Sequence, residues 1–360
     1  MTRESPLKAE HLAAGAKLVD FAGWNMPLAY PAGTVVEHNT VRSAVGLFDV
    51  THLGKVTVEG PGAEALLDRL LPGKVVKLKT GKAGYNLVLT EDGGVVDDIF
   101  VYKRQDGFLV VPNASNTDAV IAFLQANAGG DVTIADARGR WGILALSGPR
   151  AREVLFPLLP EAEGMKMHDF ATMSLKGIEV IVARTGYTGE VTYEFLPGWD
   201  RSPDVWNLLL QAGEPFGIKP AGLGARDTLR LEMGYPLHGH ELSVDINPLE
   251  AGLGWVVDWD KDFFGKPALE RVRSEGPARK LVGLLAEPGR GRVPRMDHQV
   301  FFEDRPVGKV TSGNYSPTLG AGIALAFVPP ELSEVGTRLE IDVRGRRLEV
   351  QVVKLPFKTG

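Results

Sequence analysis

The chain has 360 residues, 44% hydrophobic and 24% charged, long enough for two or three domains with an ordinary soluble core. Its net charge of -5 argues against a general binder of nucleic acid or anionic membrane, so an anionic ligand needs a local cluster of Arg or Lys. Cysteine is absent, which removes disulfides, thiolate metal sites, iron-sulfur ligation and cysteine nucleophiles together.

Met1 to Lys8 lacks the apolar core of a signal peptide, and no later run reaches the ~20 apolar residues of a membrane span, so a cytoplasmic protein is expected. Val19 to Leu28 alternates short apolar stretches with Gly and Pro, and Val35 to Ala44 has helical spacing. Gly46 to His52 reads as a strand carrying one acid and one histidine, the histidine expected to be a hydrogen-bonded structural residue. Gly62 to Leu71 reads as a short amphipathic helix.

Tyr85 to Thr90, the turn Glu91-Asp92-Gly93-Gly94 and a strand from Val95 form a predicted hairpin. Alternation puts Val96, Asp98, Phe100 and Tyr102 on one face and Val95, Asp97, Ile99 and Val101 on the other. One aspartate therefore shares a face with apolar neighbours and, if buried, needs a hydrogen bond, a proton or a ligand. Residue types alone favour an edge strand with both carboxylates solvated. Phe108 to Val111 reads as a further strand, and the Pro112 to Asp118 stretch caps a helix through Ala119 to Gln125.

A similar rhythm restarts near Trp141, with a strand Gly142 to Leu146, a helix Ala151 to Leu159, a strand Ile178 to Ala183 and a return strand Val191 to Leu196. Simple alternation turns Glu194 away from Tyr193 and Phe195, toward solvent. Pro220 to Glu232 is a glycine-rich entry to a helix on which Leu223, Arg226, Arg230 and Met233 fall at three- to four-residue spacing, leaving Arg226 equally suited to an ion pair or a ligand. Helical spacing at Pro267 to Ser274 leads into short β-rich runs from about Ala278, among them Gly308 to Thr311, which suggest a small barrel or sandwich. The whole reads as α+β with antiparallel sheets.

No dinucleotide fingerprint, P-loop, H-E-x-x-H helix or G-x-S-x-G elbow occurs. His238-Gly239-His240-Glu241 is the only histidine-dense spot and reads as a loop, so no metal is expected.

Several stretches together resemble the T-protein, or aminomethyltransferase, family of the glycine cleavage system. They are Val19-Asp20-Phe21-Ala22-Gly23-Trp24, Phe48-Asp49-Val50-Thr51-His52, Gly93-Gly94-Val95-Val96-Asp97-Asp98, Arg184-Thr185-Gly186-Tyr187-Thr188-Gly189-Glu190 and Gly222-Leu223-Gly224-Ala225-Arg226-Asp227. Asn247 to Leu253 and Thr311 to Leu319 extend the likeness over essentially the whole chain. Thr51 and Leu53 stand where Ser and Met are common in the family.

The resemblance implies a three-domain cloverleaf around a central folate pocket: two α+β modules, 1–140 and 141–277, and a C-terminal β-barrel, 278–360. It implies transfer of the carbon of an aminomethyl group from the lipoyl arm of H protein to tetrahydrofolate, with release of ammonia, in functional association with the P and L proteins. Asp98, ahead of Asp97, would sit by the reacting folate nitrogens, accepting a proton or stabilising an iminium-like cation. Glu194 and Arg226 would bind the folate, with Tyr85, Tyr102, Tyr187 and Asn113 around it and Trp255 in the pocket or the core. A folate-binding non-transferase that supports iron-sulfur enzymes, or a demethylation subunit with a separate oxidase, are the competing implications. Relatives of the former carry a cysteine near the Arg184 turn, and this chain has none.

Overall fold

A computed structural model describes residues 2–289 and 291–359. The chain divides into two compact units: everything up to Asn86 with Asp98–Arg226, and Leu87–Asp97 with everything from Asp227 onward. The hairpin and the helix Leu223–Glu232 each contribute to both.

The first unit is built on antiparallel sheets with helices. A six-stranded sheet runs Phe170–Leu175, Ile178–Ala183, Thr192–Pro197, Leu144–Ser147, Gly46–Asp49, Lys219–Ala221, and only its last pair is parallel. Leu47, Leu144, Leu146, Val182, Tyr193 and Phe195 point to one face and are buried with Val205, Trp206 and Leu209 of the helix Ser202–Gly213. That helix begins with a proline in its first turn, where a missing N–H costs nothing. The helix expected over Ala151 to Leu159 ends at Leu155: Phe156 keeps helical angles (φ -64°, ψ -32°), but Pro157 has no N–H with which to continue the hydrogen-bond ladder.

A five-stranded sheet has the order Lys82–Leu89, Val95–Lys103, Phe108–Val111, Val56–Glu59, Thr133–Asp136. Val95–Lys103 is thus an interior strand, not the edge that residue types suggested. Its alternation is as expected, with Val95, Asp97, Ile99 and Val101 almost wholly buried and Val96, Asp98 and Phe100 half-buried. Interior strands are hydrogen-bonded on both sides and carry far fewer solvated carboxylates than edges.

In the second unit the hairpin tip depends on Gly94. A Cβ there would lie 1.8 Å from the carbonyl oxygen of Val244, and the next N–H, on Val95, donates to Ser243 O at 2.9 Å. Two backbone segments approach so closely that only a residue without a side chain fits. Gly94→Ala is expected to cost roughly 3 kcal/mol of stability, the upper range for overpacking, and urea denaturation with an unchanged midpoint would remove this reading.

From Lys280 the chain closes a six-stranded barrel, order Lys280–Ala286, Ala321–Val328, Arg305–Ser316, Gln299–Phe302, Arg338–Asp342, Arg347–Val353. Val282, Leu284, Val300, Val310, Ile341 and Val350 help fill its interior. Arg305–Ser316 runs well beyond the expected Gly308 to Thr311. Its glycines extend it rather than end it, since a Cβ at Gly308 would lie 2.1 Å from the Phe327 carbonyl oxygen. Arg230, fully buried, pairs with Asp227 at 2.8 Å and Glu241 at 3.2 Å and donates to Ser312 Oγ at 2.8 Å. Glu232 accepts from Ser316 Oγ at 2.5 Å and Thr318 Oγ1 at 2.9 Å. The buried ion pair of this helix therefore belongs to Arg230.

Candidate functional site

Asp98 is the best-held carboxylate of the five-stranded sheet's half-buried face. Its Oδ2 accepts from the Tyr85 hydroxyl at 3.1 Å, and its Oδ1 from Asn113 Nδ2 at 2.8 Å. Asn113 also donates to the Asp98 carbonyl at 3.2 Å. Tyr85 comes from the partner strand of the hairpin and Asn113 from the loop after Phe108–Val111, so three consecutive elements fix one carboxylate. Hydrogen bonds donated to each oxygen favour the ionised form of the carboxylate. Asp97 has its side chain on the opposite face and is 0% exposed.

From Asp98 the same face continues through rings. Tyr85 stands edge-on to Phe100 at 5.7 Å, and Tyr102 edge-on to Phe170 at 5.2 Å. The Tyr102 hydroxyl lies 3.3 Å from Thr185 Oγ1, and Thr185 in turn donates to Glu194 Oε2. Tyr102 also hydrogen-bonds to Glu194, so both hydroxyls meet the same carboxylate.

Glu194 corrects the alternation argument. Its neighbours Tyr193 and Phe195 do face the core, but its own face is half-buried and hydrogen-bonded. Its cross-strand partners are Ala145 and Ala183, whose small side chains leave the carboxylate room. Burial raises the Glu194 carboxyl above its ordinary value, opposed by Thr185, the Arg226 charge and Tyr102. Arg226 is half-buried, with its guanidinium carbon 4.5 Å from the centre of the Tyr187 ring.

Arg226 sits on the first turn of Leu223–Glu232, and a residue not singled out by sequence holds that turn. Glu37, 0% exposed, accepts Tyr30 N–H at 2.6 Å and Gly222 N–H at 2.9 Å. Arg226 N–H then donates to Gly222 O at 3.1 Å. A Cβ on Gly222 would meet Leu28 O at 2.4 Å, so this residue too has to be glycine.

His52 departs from its expected role as a hydrogen-bonded structural residue. It is buried, edge-on to Phe21 at 5.3 Å, and its Nδ1 has no hydrogen-bond partner. Burial, with the Arg226 charge second, lowers its pKa to about 3. The folded state keeps it neutral while the unfolded chain protonates near 6.5, so stability present above that pH is lost as pH falls. At pH 5 the loss is about 2 kcal/mol. His52→Gln should shrink the fall in unfolding free energy between pH 7 and 5 by about that much. An identical fall in variant and parent, measured by urea denaturation, would show that His52 does not set it.

Three further residues of the sequence reading belong to the second unit. Trp255, in the second unit, is 71% exposed and is not a core residue. In the histidine-dense loop, Glu241 is committed to Arg230, and His240 Nδ1 lies 3.0 Å from Thr311 O. Among the described residues no group of three or more His, Cys, Asp or Glu is placed to hold a metal ion, and no helix is long and apolar enough to cross a membrane. Thr185 and Phe100, which connect the site, carried no signal separate from their neighbours.

Two families match the chain: "GCVT N-terminal domain" over residues 7–261 and "Glycine cleavage T-protein C-terminal barrel domain" over residues 279–358. An aminomethyltransferase of Mycobacterium bovis is 49% identical over 355 residues, 98% of this chain and 96% of that protein. One from Frankia alni is 46% identical over 359 residues, 99% of this chain and 97% of that protein. A solved structure, the glycine cleavage system aminomethyltransferase T of Bartonella henselae, superposes with a TM-score of 0.92 at 33% identity, covering 99% of this chain and 98% of that one.

Proposed function

The chain belongs to the glycine cleavage T-protein family and is an aminomethyltransferase of that system; on that premise we propose that it passes the carbon of an aminomethyl-dihydrolipoyl arm to tetrahydrofolate. The carbon gains bonds to two folate nitrogens as its bonds to the amine nitrogen and the lipoyl sulfur break. The two displaced folate N–H protons leave with ammonia and the thiol. Lipoylated H protein delivers the arm, with P and L proteins acting in the same system in the cytoplasm. The partition into modules 1–140, 141–277 and 278–360 belongs to the same proposal.

Asp98 is assigned the catalytic role, as acceptor of a proton from the reacting nitrogens or stabiliser of positive charge near them. What carries the assignment is the Tyr85–Asp98–Asn113 arrangement, which fixes an acceptor-rich carboxylate on the face opposite Asp97. Glu194 is assigned to the paired N–H groups of the pterin ring, as an acceptor whose ionised form Arg226, Thr185 and Tyr102 favour against burial. Arg226 and Tyr187 are assigned to the folate beside it, with Tyr85, Tyr102 and Asn113 as further contacts. Tetrahydrofolate is a substrate here, and no metal is part of the mechanism.

The test supplies tetrahydrofolate and aminomethylated H protein and follows ammonia and methylenetetrahydrofolate. Equal yields of the two, dependent on both substrates, are expected. Folate binding without ammonia release would instead indicate a non-transferase folate protein, and oxidative release of a methyl carbon a demethylation subunit.

A further inference from the structure

At one end of the barrel, the loop after Lys280–Ala286 and the turn between Arg338–Asp342 and Arg347–Val353 line a hollow of about 420 Å³. Arg292, Arg295, His298, Arg344 and Arg346 line it, and among the described residues the rest of the lining is valine and glycine, with no carboxylate. In a chain of net charge -5 this is a local reversal of sign.

The contacts of these side chains leave the charge in place. Arg292 Nη1 donates to Arg347 O at 3.1 Å, and Arg295 Nη1 to Asn314 Oδ1 at 2.7 Å and Gly313 O at 3.4 Å, all neutral acceptors. His298 Nδ1 accepts the Arg295 N–H at 3.1 Å, so its other ring nitrogen is a donor. Of the acids close in sequence, Asp304 and Glu340 face Arg347 at 3.8 and 3.9 Å, and Asp342 accepts the Gly345 N–H of the turn itself at 2.6 Å. Arg344 also occupies an unfavourable backbone position. It and Gly345 form a two-residue turn closed by Val343 N–H to Arg346 O at 2.9 Å, both at positive φ, 56° and 77°. Such turns prefer Asn, Asp or Gly, so an arginine there costs backbone strain while bringing a guanidinium to the rim.

We propose that this hollow binds a small oxyanion with more than one negative charge, as adjacent phosphates or adjacent carboxylates present. Guanidinium forks match both groups in geometry, and the volume suits a small ligand. Several converging cations reward a multivalent anion over a monovalent one.

Titration calorimetry of the full chain at about 0.15 M salt, where long-range attraction is screened, tests this with pyrophosphate, citrate and orthophosphate. Saturable one-to-one binding of pyrophosphate or citrate, at least tenfold tighter than orthophosphate, is expected, and whichever of the two binds tighter identifies phosphate or carboxylate as the ligand group. Arg344→Asn places a preferred residue in the turn. Combined with Arg346→Ala it should weaken binding at least tenfold without lowering the melting temperature or the aminomethyl-transfer rate. No saturable binding of either multivalent anion, or equal affinity in the double variant, overturns the proposal.

Discussion

Replacing Asp98 with Asn is expected to lower turnover about a hundredfold while tetrahydrofolate binding stays close to that of the parent protein. Asparagine preserves size and keeps one oxygen for the Tyr85 hydroxyl or for Asn113, which now hold the parent carboxylate at 3.1 and 2.8 Å. What it loses is the negative charge and the capacity to take a proton. General acid-base catalysis contributes about a hundredfold at its low end, and the charge term in a shielded site adds to it. Asp97→Asn should leave the rate within about threefold, because that side chain lies on the buried face and a substitution there acts on stability. Single-turnover measurements at saturating folate separate the two cases. Parent-like turnover in the Asp98 variant, with binding intact, would remove the catalytic assignment. A larger loss from Asp97 would transfer it.

The assignment between these two aspartates shows what was legible in the sequence. A period of two along Val95–Lys103 is dictated by strand geometry, so the separation of Asp97 and Asp98 onto opposite faces could be read at once. Which face is covered could not, because it depends on strands far away in the chain. Phe108–Val111 pairs with this strand through Phe100 to Val111 and Tyr102 to Leu109, and that pairing makes it interior. Glu194 fails for the same reason. Its neighbours Tyr193 and Phe195 are in the core as expected, but the opposite face is covered by Thr185, from the loop after Ile178–Ala183, and by the Tyr102 hydroxyl of the other sheet. The parallel pairing of Gly46–Asp49 with Lys219–Ala221 joins segments about 170 residues apart, a contact that local propensity cannot encode.

The barrel was easier, since its strands are consecutive and bounded by turns, and only the glycine-containing strand was cut short. The helix Ser202–Gly213 has a local signal of its own, a proline in the first turn followed by Val205, Trp206 and Leu209 at helical spacing. Glu37 had none. A buried glutamate that caps a distant helix is recognised only once Tyr30 and Gly222 are seen beside it.

Glu194→Ala should weaken tetrahydrofolate binding by roughly a hundredfold, with a smaller effect on turnover at saturating folate. A hydrogen bond to a charged group contributes about 1.5–3 kcal/mol, so losing paired contacts to one carboxylate is a loss of that order or more. Glu194→Gln should fall almost as far, because its amide presents a donor where the pterin also presents donors. The pH dependence follows from the raised carboxyl. Binding by the ionised form is complete above the Glu194 pKa and lost as pH falls through it, so the parent's folate affinity should decline above the ordinary carboxylate range, while the Gln variant shows no such limb. Arg226 is one of the charges holding that pKa down. Arg226→Ala should therefore weaken binding and also move the acid limb to higher pH. A merely structural role for Arg226 would lower affinity without moving the limb, and calorimetry at several pH values distinguishes the two.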